Sequence, residues 1–183
     1  NPEVAFTIDA REGMRRVSEA FERMPKAVDR ALARALRKLS TWLQRQALRA
    51  ASGASGIPQK FFKKAMRYYV TVERAGSKPV GVSVWVGTDP IAQHRLGAVR
   101  WTPSMAGARA GRRSFPGAWS WGRGKTGPAI MERMTNARLP IVRVPDEEPH
   151  GVVWQALSRL KDDATQRFDR LLVQELHYAL NVE

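Results

Sequence analysis

The chain opens on Val4-Ala5-Phe6-Thr7-Ile8, whose alternation predicts a strand. Asp9 and Glu12 then stand at capping-box spacing and predict a short helix over Arg11 to Arg23. Pro25 interrupts it and suits the first turn of a second helix. That helix, over about Lys26 to Ala51, has the clearest pattern in the chain. Val28, Leu32, Leu36, Leu39, Leu43 and Ala47 recur on one face, while Arg30, Arg34, Arg37, Lys38, Arg45 and Arg49 take the other. Asp29 is its only acid. Ser52-Gly53-Ala54-Ser55-Gly56 reads as the helix end and a flexible joint. A short helix over Gln59 to Met66 carries Lys60, Lys63 and Lys64. Strands over Arg67–Arg74 and Val80–Val86 flank Gly76-Ser77-Lys78-Pro79 and form a hairpin, in which Tyr69 and Trp85 read as sheet packing rather than ligand contacts. Two more strands, Ala129–Met134 and Leu139–Val144, turn around Asn136. Pro145 to Pro149 is an acidic linker, placed to favour the N-terminus of a last long helix, Val152 to Leu180. Val153, Leu157, Leu160, Ala164, Phe168 and Leu171 form that helix's apolar stripe, and it also carries Asp162, Asp163, Asp169 and Glu175. No internal repeat occurs.

These elements make an α+β fold: a small antiparallel sheet packed with two long helices, plus an extended basic arm rich in Gly, Pro and Trp. The expected organisation is one core domain, residues 1–89 and 127–183, with residues 90–126 as the arm. Between Pro90 and Met131 there is no Asp or Glu, but Arg95, Arg100, Arg109, Arg112, Arg113, Arg123 and Lys125 are present. Trp101, Phe115, Trp119 and Trp121 lie among them, separated by Gly and Pro. Fixing such a backbone costs roughly 1–2 kcal/mol per residue, and no regular aliphatic pattern offsets that cost. The expectation is an arm that stays mobile until a partner orders it.

Composition narrows the chemistry. A chain of 183 residues with no cysteine needs no covalent staple and has no thiolate for zinc, iron–sulfur or nucleophilic work. The 31 Lys and Arg against 17 Asp and Glu give a formal charge of +14, which reads either as general solubility or, more sharply, as contact with a polyanion. No apolar run approaches the roughly 20 residues that span a bilayer. The opening residues carry no basic-then-apolar leader. The expectation is a soluble chain made in the cytoplasm.

No reaction centre has the spacing its chemistry needs. Gly122-Arg123-Gly124-Lys125-Thr126 resembles a phosphate loop, but Trp119 occupies the position that needs the first glycine. His94, His150 and His177 are far apart, and none has a second ligand at metal spacing. His177, late in the last helix, suits a charge role at the helix end, and His94 stands at the mouth of the basic segment. No Gly-x-Ser-x-Gly elbow occurs. Asp89 and Glu132 flank the arm and leave a metal-dependent nuclease as a minor alternative. The sequence assigns no catalytic residue, no metal ligand and no cofactor.

Two basic surfaces remain. On the second helix, the cationic stripe reads either as a solvated side or as a phosphate-facing surface. In the arm, Arg and Trp suit base stacking or, as favoured anchor residues, a protein interface. Three tryptophans in one loop favour the interface.

The order of elements resembles the minor tail protein Z family, the tail-completion proteins of lambda-like tailed phages. More distantly it is similar to other tail components of siphophages. The resemblance rests on Val28-Asp29-Arg30-Ala31-Leu32-Ala33-Arg34-Ala35-Leu36, on Ile57-Pro58-Gln59-Lys60-Phe61-Phe62-Lys63-Lys64, on Phe115-Pro116-Gly117-Ala118-Trp119 and on Arg138-Leu139-Pro140-Ile141-Val142-Arg143-Val144-Pro145 before the last helix. The Pro90–Met131 segment departs from that pattern.

The resemblance implies a structural virion protein rather than an enzyme. It would be assembled in the host cytoplasm and act at the head–tail junction, completing the head-proximal end of the tail where DNA passes. It implies a ring, sixfold in this region of siphophages, with a tail terminator, tail tube or head connector as neighbour and no membrane. Under this reading Trp101, Phe115, Trp119, Trp121, Arg112 and Arg113 form the arm's subunit interface. Arg30, Arg34, Arg37, Arg45, Arg123 and Lys125 face the channel or the phosphates, without base readout. The alternative is a stand-alone nucleic-acid-binding protein.

Overall fold

The computed structural model describes residues 2–11, 13–15, 25–64, 67–122 and 128–181. The chain divides into two compact units, Asn1–Thr88 with His150–Glu183, and Asp89–Pro149.

In the first unit the strand alternation is realised along β1 (Glu3–Asp9). Val4, Phe6 and Ile8 are buried, and Glu3, Ala5 and Thr7 are exposed. The hairpin strands β2 (Tyr68–Ala75) and β3 (Lys78–Gly87) complete an antiparallel sheet in the order β1-β3-β2. Phe6 and Val70 both pair with Val84, so one face of the sheet is apolar throughout. On the opposite face Ala5 and Tyr69 flank Trp85. Gly81 is required where the strands meet, because a Cβ there would lie 2.5 Å from the Ile8 carbonyl oxygen.

Two long helices cover this unit's core, α1 (Pro25–Ser55) and α3 (His150–Asn181), and they pack along each other and against the strands. A short helix, α2 (Gln59–Lys64), lies between α1 and the hairpin in sequence and buries Phe62. The α1 stripe is Val28, Ala31, Ala35, Leu36, Leu39, Leu43, Ala47, Leu48 and Ala51, with Ala31, Ala35 and Ala47 fully covered. Leu32, expected in the stripe, is half-buried, because the alanines form the floor of the packed face. In α3 Leu172 is buried in place of the expected Leu171, and the stripe continues through Leu176 and Ala179. Each fully buried Leu or Phe contributes about 1.5–3 kcal/mol.

The expected joint after Ala51 is helical. α1 runs on through Ser55, whose hydroxyl donates to the Ala51 carbonyl at 2.6 Å. Gly56 ends it with φ +69°, its N–H donating to the Ser52 carbonyl at 2.9 Å. A left-handed glycine just past the last turn is a common helix stop. Residues 10, 11 and 13–15 are helical, and most of the helix expected over Arg11–Arg23 lies outside the described residues.

The second unit corrects the expectation of a bare arm. Residues 99–121 form four short strands, β4 (Val99–Arg100), β5 (Gly107–Ala110), β6 (Arg113–Pro116) and β7 (Trp119–Trp121). They are followed by β8 (Ala129–Arg133) and β9 (Ile141–Arg143). These strands make two three-stranded antiparallel sheets, β4-β5-β6 and β7-β8-β9. The strands expected in the core domain after residue 127 therefore belong here instead. Ala108, Ala110, Ala118, Ile130 and Val144 form a small apolar cluster, with Val99 and Phe115 packed against it. Such a core escapes a search for large aliphatics because its members are mostly alanines, which let backbones approach closely. Gly97 serves the same end: a Cβ there would stand 2.5 Å from the Gly111 Cα.

A polar stem closes the unit. Ile91 and Glu147 exchange backbone hydrogen bonds of 2.9 and 2.8 Å. The Gln93 amide donates to the Pro145 carbonyl at 3.3 Å and to Glu147 Oε2 at 3.1 Å. Arg113 Nη1 reaches both Gln93 Oε1 and Glu147 Oε2 at 3.1 Å. The segment thus supplies its own backbone partners, which is what the cost of ordering it demanded.

Candidate nucleic-acid interface

The cations of α1 do not form one solvated stripe. Arg37, Arg45 and Arg49 are exposed, as is Arg30. Arg34 and Lys38 instead converge on Glu175 of α3, a carboxylate that is almost wholly buried. Arg34 Nε donates to Glu175 Oε2 at 2.8 Å, Lys38 Nζ donates to Oε1, and the Arg34 guanidinium also lies 5.2 Å from the Tyr178 ring centroid. Burial pushes the Glu175 carboxyl up, but the hydrogen bonds and charges of Lys38 and Arg34 outweigh it and leave the group below its ordinary value. Arg34, expected to face phosphates, is thus paired with a buried carboxylate between the helices. Asp29 is met from β3 by Lys78 at 3.4 Å.

Further along α1 the surface opens into a cleft of about 540 Å³ lined by Gln44, Arg45, Leu48 and Arg49, by Gln59 and Lys63 of α2, and by Tyr68, Tyr69 and Val70 of β2. Arg45 and Arg49 stand one helical turn apart, and their repulsion weakens the helix by a few tenths of a kcal/mol. Among the described residues no carboxylate lines the cleft. The Tyr68 hydroxyl donates to the Gln44 carbonyl, and burial pushes its ionisation up to about 12, so it remains a neutral donor. Tyr69 stacks on Trp85 with centroids 5.2 Å apart and planes at 14°, while half of its own surface remains open. The Trp85 indole N–H donates to Glu3, fixing the lower ring of the stack. Of these residues the sequence pointed to Arg45 as a candidate and read Tyr69 as packing. Arg49, Lys63 and Tyr68 come together through tertiary contact, since α1, α2 and β2 are separate stretches of chain.

Residues expected at the arm's interface are dispersed within the second unit. Trp101 and Arg112 are exposed, and Trp121 is 59% exposed. Phe115 leans on the unit's own apolar cluster. Arg113, also expected at the interface, is held in the stem against Glu147. Trp119 is half-buried, with the Arg133 guanidinium 6.0 Å from its ring, beside a second cleft that Glu132, Thr135 and Asn136 help to line. Arg123 and Lys125 lie outside the described residues.

Among the described residues no group of three or more His, Asp or Glu is placed to hold a metal ion. His150 Nδ1 is 2.8 Å from the buried Thr88 hydroxyl, a structural contact at the start of α3. The exposed His177 offers its backbone carbonyl to the Asn181 side chain at 2.8 Å. Among the described residues no helix is long and apolar enough to cross a membrane. Set against family models, curated proteins and solved structures, the chain finds no match.

Proposed function

We propose that this protein is a structural component of a tailed-phage virion, completing the head-proximal end of the tail at the neck through which DNA passes. The observation that carries the polyanion part of this reading is the cleft between α1, α2 and β2, where Arg45, Arg49 and Lys63 gather with no carboxylate among the described lining residues. A surplus of +14 distributed in this way suits contact with phosphates without base readout. The phage assignment draws on the resemblance of the four sequence stretches and on the order of the elements. In the same reading the protein is not an enzyme, and it acts as a ring, sixfold by that resemblance, whose heterologous contacts close. Exposed Trp101 and Trp121 suit anchoring on a neighbouring subunit, or on a tail terminator, tail tube or head connector.

Solution mass, measured with and without purified neck and tail components, tests the assignment. The expected result is a small species alone that joins a ring when the components are added, visible as such in images of the neck. A chain that stays unassembled in every mixture would sink the virion reading. It would favour the stand-alone nucleic-acid-binding protein, which the same cleft equally supports.

A further inference from the structure

We propose that the outer edge of β2 accepts an extended acidic segment of a partner protein as an added strand, with Arg45, Arg49 and Lys63 facing its carboxylates. This deepens the anion contact proposed above by giving it a polypeptide as partner. It rests on that part of the reading, not on the phage assignment.

Backbone geometry carries it. In the order β1-β3-β2, β2 is an outer strand, and among the described residues only β3 pairs with it. The Gly87 N–H donates to the Arg67 carbonyl at 2.8 Å, which sets the alternation of the ladder. In an antiparallel pair, residues bonded to the partner strand alternate with residues whose backbone groups turn away. Tyr69 and Thr71 therefore point their N–H and C=O toward β3, and Tyr68, Val70 and Val72 point theirs outward. The cleft follows that outward edge. Its β2 wall is Tyr68, Tyr69 and Val70 together, although successive side chains of a strand point to opposite faces. A hollow touched by all three lies beside the strand, not over one of its faces. The Tyr68 hydroxyl, bonded to the Gln44 carbonyl, ties β2 to α1 and so fixes the two walls before a ligand arrives. Open backbone donors and acceptors along a fixed groove are what strand addition uses for affinity.

Charge selects the occupant. The facing walls present Arg45 and Arg49 from α1 and Lys63 from α2, with no carboxylate among the described lining residues. Arg45 and Arg49 are about 6 Å apart along the helix axis. Side chains on one face of an extended strand recur about every 6.8 Å, so acids at alternate positions of a strand laid along the cleft meet a cation each. Pairing β2 with β2 of a second copy would bring two sets of the same cations together, which opposes self-association. Nucleic acid would satisfy the cations but has no alternating N–H and C=O to answer the strand.

Fluorescence anisotropy of a labelled peptide of about eight residues, an ordinary strand length, tests this on the full chain. The peptide alternates Asp with Val, and a Lys–Val peptide is the control. The Asp–Val peptide is expected to bind more tightly. Methylating the backbone nitrogens of one alternate set of its residues should weaken binding about tenfold or more, and methylating the other set should not. Val70→Pro removes one outward N–H at a place where an edge strand tolerates proline, and should also weaken binding. If that variant fails to fold, the methylated peptides make the same test without altering the protein. Combined Arg45→Glu, Arg49→Glu and Lys63→Glu should reverse the preference toward the Lys–Val peptide. Removing exposed Arg100, Arg109 and Arg112 from the second unit should leave the preference as it was. Binding indifferent to methylation of either set would overturn the proposal in favour of diffuse charge. Displacement of the peptide by an oligothymidylate, with methylation again without effect, would assign the cleft to nucleic acid instead. A chain that binds the peptide but joins no neck component loses the virion reading and keeps the added strand. The converse result removes the added strand alone.

Discussion

At Glu175, burial and ion pairing act in opposite directions on one carboxyl group, and pairing wins. The sign of its pH dependence follows. Its folded value is lowered, so its contribution is complete above the ordinary carboxyl value of about 4.5 and is lost as pH falls through the folded value. Glu175→Gln should cost about 1–2 kcal/mol at neutral pH, because it strands Arg34 and Lys38, both of which keep some access to water. Thermal melts of the two proteins should differ by a few degrees at neutral pH and converge in acid. A difference that persists unchanged in acid would place the stabilisation elsewhere. Nothing in the sequence distinguishes Glu175 from Asp169 or Asp162. Its partners are more than a hundred residues away, on a helix whose cations read either as a solvated side or as a phosphate-facing surface, and in neither case as partners of a buried acid.

The elements themselves were largely legible. Alternation at Val4, Phe6 and Ile8 and the helical spacing of Leu36, Leu39 and Leu43 reflect burial on one face, which is a local property of period. The end of α1 was not. Ser52-Gly53-Ala54-Ser55-Gly56 holds two glycines and two serines, and composition alone places a break anywhere among them. The structure uses Gly56 for the stop, with φ +69°, and leaves Gly53 inside the helix. Gly56→Ala should therefore cost about 1 kcal/mol, from the left-handed backbone alone. A chemical-denaturation midpoint shifted downward at unchanged slope is the expected reading, and no shift would mean the turn relaxes.

For the whole molecule, the division into two units carries a consequence of its own. The first unit is assembled from both ends of the chain, and the second is inserted between Thr88 and His150. Those two residues are hydrogen-bonded to each other at 2.8 Å, so the chain leaves and re-enters the first unit at adjacent points. Replacing residues 89–149 with a few Gly and Ser should leave a protein that keeps the helical signal of α1 and α3 and melts cooperatively, since closing a short loop costs little. Loss of that signal would show that the first unit needs the second in order to fold.

Sequence by itself determined the α+β character, the two long helices, the hairpin and the excess of positive charge, because each depends on residue type and short-range period. The absence of acids from Pro90 to Met131 was equally plain, yet its meaning was not. Alanines at 108, 110 and 118 and the stem at Gln93, Arg113 and Glu147 turn that stretch into a folded unit, through contacts that no local pattern announces. Tertiary structure also decided which cations are free to meet an anion. It draws Arg34 and Lys38 to Glu175 and gathers Arg45, Arg49 and Lys63 along one cleft. The physical reason is the same in both cases. A charge acts through whatever lies within a few ångströms of it, and that neighbourhood comes from distant parts of the chain.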